Sequence, residues 1–437
     1  MTPAADLLIT NGIVMTMDAT NRIIPTGSVT VRGDTIAAID PAGEEGPAAA
    51  RQVIDAGGGI IMPGLVNTHT HAAMTLFRGL ADDLPLMDWL NDHIFPAEAL
   101  LDPDKVHAGT LLGCAEMILS GTTCFCDMYL FTASVARAAR TAGLRAVVGE
   151  VLYDFPSPSY GPIAAGFDYT RRLIETWRGD PLVSIAVEPH SPYLCSPDLL
   201  TEAADMARKH GIRMVTHLSE TRQEVDRIQS AYGATPVKHL ANLGVLGDHL
   251  LACHCVVLSE ADMGLLKRHA VNVSHNPESN MKLAAGVAPV ADLIALGVCT
   301  GLGTDGCSSN NNLDLFAEMD MAAKLHKGSR LDPTVMDAAT VLRMATIDGA
   351  RALGLDRLTG SLEVGKKADI IVIDTRKPHL TPMYHPASHL VYAVGAGDVS
   401  ATVVNGRVLM QDRRLLHLDG ERVMADARRI AATIQAR

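Results

Sequence analysis

The sequence predicts an α/β protein: a (β/α)8 TIM-like barrel joined to a small β-sandwich domain built from both chain termini. Three observations predict it. Short apolar stretches alternate with amphipathic ones through the middle of the 437-residue chain. Both ends are rich in strand-forming residues and tight-turn signals. Nearly every middle strand ends on a His, Glu or Asp, and in a barrel the chemistry collects at the C-terminal ends of the strands.

The ends come first. "DLLITNGIVMTMD" reads as two short strands around Asn11-Gly12, and "ATVVNGRVLMQD" repeats the pattern around Asn405-Gly406. Asn-Gly tolerates the positive φ that a two-residue hairpin demands at both central positions. "SVTVRGDTIAAID" and "KADIIVIDT" add further strands. The expected division is residues 1–59 plus 364–437 for the composite sandwich and 60–363 for the barrel.

In the middle, "TTCFCDM", "RAVVGEV", "VSIAVEPH", "RMVTHLSE", "LLACHCVV", "AVNVSHNP" and "CTGLGTDG" read as strands. Such continuous apolar runs mean parallel strands buried on both faces. "SPDLLTEAADMARKHG" and "PVADLIALG" read as the covering helices. An open doubly wound sheet fits less well, because no Gly-rich phosphate turn follows the first strand.

Composition narrows the function. Apolar residues make up 48% and charged ones 20%, as in an ordinary globular protein. The net charge of −12, with no long basic run, disfavours nucleic acid and anionic membrane as partners. The start, "MTPAADLLITNGIV", lacks the pattern of a secretory leader, and no uncharged apolar run is long enough to span a bilayer. Eight cysteines are scattered, two pairs as C-x-C, without the two-residue gap of zinc clusters. Reduced thiols in a packed core are expected, hence a cytoplasmic protein.

The chemistry starts from "IMPGLVNTHTHAAM". Residues two apart on a strand point the same way, so His69 and His71 aim into one space. "THLSE" supplies His217 and, three residues on, Glu220; "LACHCVV" supplies His254; "GLGTDG" supplies Asp305. Each of these alone is as readily a structural residue. Together, at strand ends, they form a nitrogen-and-oxygen set suited to Zn²⁺ or another divalent first-row ion, with a corner left for water.

Six blocks in order carry a resemblance: "PGLVNTHTHAAM", "RGLADDLPLMDWLNDHIFPAE", "THLSET", "ACHCVVL", "VSHNPESNMKLAAGVAPV" and "GLGTDGCSSNNNLDLFAEM". The chain resembles the amidohydrolase superfamily and, within it, the 5-methylthioadenosine/S-adenosylhomocysteine deaminase family, over nearly its whole length. The resemblance implies that His69, His71, His217 and Asp305 bind one divalent metal, zinc ahead of iron. Binuclear relatives carry a bridging lysine on the fourth strand, where this chain reads "VSIAVEPHSP". The implied reaction is hydrolytic deamination of an adenosine-type nucleoside (5′-methylthioadenosine, S-adenosylhomocysteine, adenosine or 5′-deoxyadenosine) to the inosine analogue and ammonia. A metal-activated water attacks C6. Asp305 takes the water's proton, His254 holds the water in line and Glu220, its pKa raised in a dry site, protonates N1. Another role for Glu220 is to orient His217.

Glu98 in "FPAEAL" and His190 in "EPHSPY" match family positions that contact the ribose hydroxyls, and Trp89 could pack over the base or simply in the core. His275, Asn276 and Ser279 either line the pocket or cap a turn. The loop after the third barrel strand, in "RAVVGEVLYDFPSPSYG", has no arginine where some relatives pair one with the homocysteine carboxylate. Neutral 5′-modified adenosines are therefore expected to be preferred, unless Arg78 supplies the cation. Loops around residues 80–98 and 154–164 are expected to close over the substrate, and the resemblance suggests a homo-oligomer. Rival readings are an aminohydrolase of another ring (guanine, cytosine, triazine, aminodeoxyfutalosine), a cyclic amide hydrolase, and a metal-storing or regulatory binding protein.

Overall fold

The computed structural model describes residues 5–42, 49–84 and 88–435. The first five strands are β1 (Ala5–Met15), β2 (Ile23–Arg32), β3 (Thr35–Pro41), β4 (Ala50–Asp55) and β5 (Ile60–Pro63). The middle supplies β6 (Leu65–Thr70), β7 (Thr122–Tyr129), β8 (Arg145–Leu152), β9 (Val183–Ile185), β10 (Glu188–Pro189), β11 (Met214–Leu218), β12 (Leu250–His254), β13 (Asn272–His275) and β14 (Thr300–Leu302). The last four are β15 (Ile370–Ile373), β16 (Val399–Val404), β17 (Arg407–Gln411) and β18 (Arg414–Leu415).

Strands from the two ends share one nine-stranded sheet in the order β18-β17-β16-β15-β5-β1-β2-β3, with β4 beside β1. The seam is antiparallel β5–β15, Ile61 opposite Val372. Leu7, Ile9, Val29, Ile61, Ile370 and Val403 share one apolar cluster, so both termini fill the same core. The Asn405-Gly406 hairpin between β16 and β17 is as expected, with φ of 51° and 76°.

The Asn11-Gly12 hairpin is a correction. β1 runs straight through it. Leu7 and Ile9 pair in parallel with β4, whereas Ile13 and Val14 pair in parallel with β5. The ladder to β2 shifts register on both sides of Gly12. Asn11, at φ 56°, thus marks a bulge where the strand changes partners. A Cβ on Gly12 would fall 2.7 Å from the Ile61 side chain, which is why glycine stands there. β5 begins at the expected domain boundary but pairs on the terminal sheet's side of it.

The middle strands are parallel and buried, in two sheets: β6 to β8 with β9 and β10, and β11 to β14. β7 and β8 are buried at every residue, as strands covered on both faces must be. The Val187–Met214 bridge links the two sheets on one side. On the other, the Asp305 amide donates to the His69 carbonyl at 3.0 Å. The fourth predicted strand is broken into β9 and β10, where the Glu188 side chain turns in over Gly149. "SPDLLTEAADMARKHG" forms the expected helix Pro197–His210, capped by the Ser196 hydroxyl and ended by Gly211 at φ 64°. "PVADLIALG" gives Val290–Ala295. The expected lid around 80–98 contains residues 85–87, which lie outside the described residues. Among the described residues no helix is long and apolar enough to cross a membrane. The eight cysteines are free thiols, all buried but Cys299.

Candidate active site

The strand ends bring the predicted imidazoles together. His69 lies near the end of β6 with its ring fully buried, and His71 lies just beyond. The two ring centres are 4.8 Å apart, with His217 5.0 Å and His254 5.5 Å from His69. Asp305 Oδ1 stands 3.4 Å from His69 Nε2 and 3.1 Å from His71 Nε2. Asp305 itself sits at φ 58°, a conformation few non-glycine residues adopt.

Hydrogen bonds outside the cluster fix which nitrogens face inward. His71 Nδ1 meets the Met128 carbonyl, and His217 Nδ1 meets the His190 carbonyl at 2.8 Å. A carbonyl only accepts, so both Nδ1 atoms carry a proton, and it is the Nε2 atoms that face the site. His217 is thus oriented by the His190 carbonyl rather than by Glu220. His254 Nδ1 is held 2.9 Å from Asn280 Oδ1. Ser279 and Ser309 donate to Asp305 Oδ2 at 2.7 and 2.8 Å, leaving Oδ1 turned toward the imidazoles.

Both ring nitrogens of His69 are buried with no hydrogen-bond partner. A buried imidazole unsatisfied at both nitrogens is what a lost or absent ligand bond leaves behind. The donor atoms of His69, His71 and His217 lie within 4.8 Å of one another, as do those of His69, His254 and Asp305. This nitrogen-and-carboxylate set fits a divalent first-row metal. His254, expected from sequence to act on the water, also lies within reach of a metal.

The electrostatics agree. Burial pulls the His69 pKa down to about 4 and His190 to about 3, and holds His217 well below its usual range. All three are therefore neutral. Asp305 is held well below the carboxylate range, because its close contacts with the His69 and His71 imidazoles outweigh burial. Burial opposes charge on His71 as well, yet the Asp305 contact raises it to about 9. Burial raises the Glu220 carboxyl despite nearby His254, whose Nδ1 is 3.9 Å from Glu220 Oε1.

One cavity joins these groups. His71, His217, His254, Glu220 and Asp305 line its inner end. Glu98, His190 and Trp89 line it too, so every predicted site residue except His69, buried behind, faces the cavity. Glu98 is half-buried rather than a solvated helix-start acid, and burial lifts its pKa to about 7. The Trp89 indole donates to the Ala81 carbonyl at 3.1 Å. Arg78 is bonded to Glu116 and the Asn311 carbonyl and does not line the cavity. His275 pairs instead with His326, Nε2 to Nε2 at 3.1 Å. Asn280, Ser309 and the Tyr153–Phe155 stack, with ring centres 3.9 Å apart, were not foreseen. The motif blocks contain the first two, but nothing local distinguishes them from ordinary loop polar residues.

The sequence profile of the amidohydrolase family matches residues 60–409. The chain belongs to the amidohydrolase family. This amidohydrolase is 59% identical over 434 residues to a 5-methylthioadenosine/S-adenosylhomocysteine deaminase of Syntrophobacter fumaroxidans, covering 99% of each chain. It is 46% identical over 435 residues, 99% of each chain, to a 5′-deoxyadenosine deaminase of Methanosarcina acetivorans. The crystal structure of an adenosine deaminase from Xanthomonas campestris with bound zinc superposes on it with a TM-score of 0.98 at 38% identity, covering 100% of both chains. Within the family the chain falls among the 5-methylthioadenosine/S-adenosylhomocysteine deaminases.

Proposed function

We propose that this amidohydrolase removes the 6-amino group of adenosine-type nucleosides by hydrolysis, giving the inosine analogue and ammonia. The observation that carries the reading is the raised Glu220 carboxyl facing the same cavity as the ionised Asp305. Two carboxyls in one cavity, one raised and one lowered from the ordinary carboxylate range, suit an acid and a base in one reaction. Its curated relatives carry adenosine-type deaminase names at 46% and 59% identity.

His69, His71, His217 and Asp305 would hold one divalent ion, zinc ahead of iron; a zinc-bound relative supports zinc, and the absence of lysine from "VSIAVEPHSP" supports a single metal. When bound, the ion makes a water acidic enough to attack at neutral pH. Asp305 accepts the proton from that water and later gives it to the departing amine. His254, its ring fixed by Asn280, orients the water toward C6. Glu220 gives a proton to N1 as the ring loses aromaticity. The water oxygen bonds to C6, the C6–N bond breaks and ammonia leaves, and the proton remaining on that oxygen returns to Glu220 as the 6-oxo group forms. Glu98 accepts from the ribose hydroxyls, with His190 beside it and Trp89 packed along the cavity wall.

The same reading takes the two parallel sheets as one closed (β/α)8 barrel within 60–363, starting after β5, and the terminal sheet, with β5, as a folded sandwich built from 1–59 and 364–437. The eight free thiols suit a cytoplasmic enzyme. A free base would leave Glu98 and His190 without partners, which disfavours guanine- or triazine-type substrates. The test is incubation with adenosine, 5′-deoxyadenosine and 5′-methylthioadenosine, with ammonia and bound metal measured on one sample. Ammonia from free bases alone would refute the reading.

A further inference from the structure

Two loops carry the groups assigned to the chemistry, and one buried carboxyl outside the cavity ties them together. Glu318, in the helix Leu315–Arg330, is fully buried. Its Oε1 accepts from Asn310 Nδ2 at 2.6 Å, and the same Nδ2 donates to the Thr304 carbonyl at 2.7 Å. This arm grips the loop of Asp305 on both sides. Its Oε2 accepts from the Glu278 amide at 3.2 Å, in the first turn of the helix Pro277–Lys282. That short helix presents Ser279 to Asp305 Oδ2 and Asn280 to His254 Nδ1.

The loop needs such a hold. Asp305 is in the left-handed region, and such a conformation persists only where surrounding contacts over-determine it. A fully buried carboxyl is also unfavourable unless its acceptors are used, and here both are. An acid serving packing alone would be replaced without loss by an apolar side chain. Glu318 instead bonds the two segments whose relative position sets the Asp305-to-His254 geometry. We propose that Glu318 is a positioning residue for this reaction, holding Asp305 and His254 in register from behind the site.

The inference rests on the deaminase reading above, because that reading gives Asp305 and His254 their roles. Ammonia release from adenosine by the unmodified enzyme tests that reading first. E318Q then tests the inference, since an amide keeps one acceptor but turns a donor toward a donor at the other arm. The zinc-loaded E318Q enzyme should lose about 10- to 100-fold in kcat, with KM for adenosine within about twofold. Backbone amides of 304–312 and 278–282 should exchange hydrogen faster in the metal-free variant than in the metal-free parent. Its loss should not multiply with that of the S279A/N280A double variant, which cuts the two bonds through which the Glu278 arm would reach Asp305 and His254. N310A severs the Asp305 arm alone and should give a smaller kcat loss in the same direction; it stands in should E318Q not fold. Native kcat in E318Q and N310A, or a loss that multiplies fully with S279A/N280A, would overturn the assignment.

Discussion

Asp305 Oδ1 lies 3.1 Å from His71 Nε2, and the same oxygen faces His69 at 3.4 Å. The carboxylate is shared between imidazoles as a cation would share it. H69A and D305A should each lower bound metal from about one equivalent to under about a tenth, measured by elemental analysis. Chelation of the parent enzyme should abolish ammonia release, and Zn²⁺ should restore it. Metal binds only the native state, so the melting temperature should rise with Zn²⁺ in the parent and not in these variants. Full activity in a metal-free preparation would contradict the site.

Glu220 gives a second, separable outcome. It lies 3.9 Å from His254 and outside the two groups of side chains that could hold a metal. E220Q should retain the metal while kcat falls by about 10²- to 10⁴-fold, the usual worth of general acid help. Single-turnover kinetics with metal analysis on the same sample decide this. A fully active E220Q would remove Glu220 as the donor.

Glu150 should write itself into the pH dependence of stability. It is fully buried on β8, accepting from the Thr132 and Phe131 amides at 2.8 and 3.3 Å. Burial raises its pKa from 4.5 to about 7, a gap worth roughly 3 kcal/mol. Between those values the unfolded chain has lost the proton that the folded chain keeps. The Glu150 contribution to stability therefore falls as pH rises from about 4.5 to 7 and levels above. Other buried groups titrate in the same range, Glu224 with the same sign and His69 with the opposite one, so the measure is the difference between two proteins: in melting curves of the metal-free chain, the stability of the parent relative to E150Q should decline across this range. A decline of equal size in E150Q would point to another group.

Substrate preference follows from the cavity mouth. Phe155, 45% exposed, stacks on Tyr153 within the lining, and no Lys or Arg is among the described lining residues. Arg227 sits over the Tyr193 ring, 5.7 Å from its centre, without lining the cavity. An unpaired amino-acid carboxylate beside apolar rings is disfavoured. kcat/KM should be about tenfold or more higher for 5′-methylthioadenosine than for S-adenosylhomocysteine, and F155R should narrow the ratio. An unchanged ratio in F155R, or a parent preference for S-adenosylhomocysteine, would reject this.

What the sequence displayed depends on how local the signal is. His69 and His71 were legible because a strand's period of two aims both to one side, and the following residues end the strand. His217, His254 and Asp305 were legible as polar endings of apolar runs. Glu98 was legible only through the family resemblance, since "FPAEAL" by itself looks like any helix start; the fold turns it into the cavity. Glu318 is harder still, because an acid within an amphipathic helix reads as solvent-facing until the loops of Asn310 and Glu278 close over it. Asn11-Gly12 misled because a turn signal and a bulge ask for the same backbone angle, and only the pairing with β4 and β5 separates them.

The β5–β15 seam joins Ile61 to Val372, residues from opposite ends of the chain. During synthesis β5 emerges early and its partner only after the whole catalytic segment. Until then one edge of the N-terminal strands has unmet backbone donors and acceptors, open to pairing with any neighbouring chain. The last part of the molecule to be made therefore protects the first, and a nascent chain stalled before residue 370 would carry a sticky edge that the finished protein never displays.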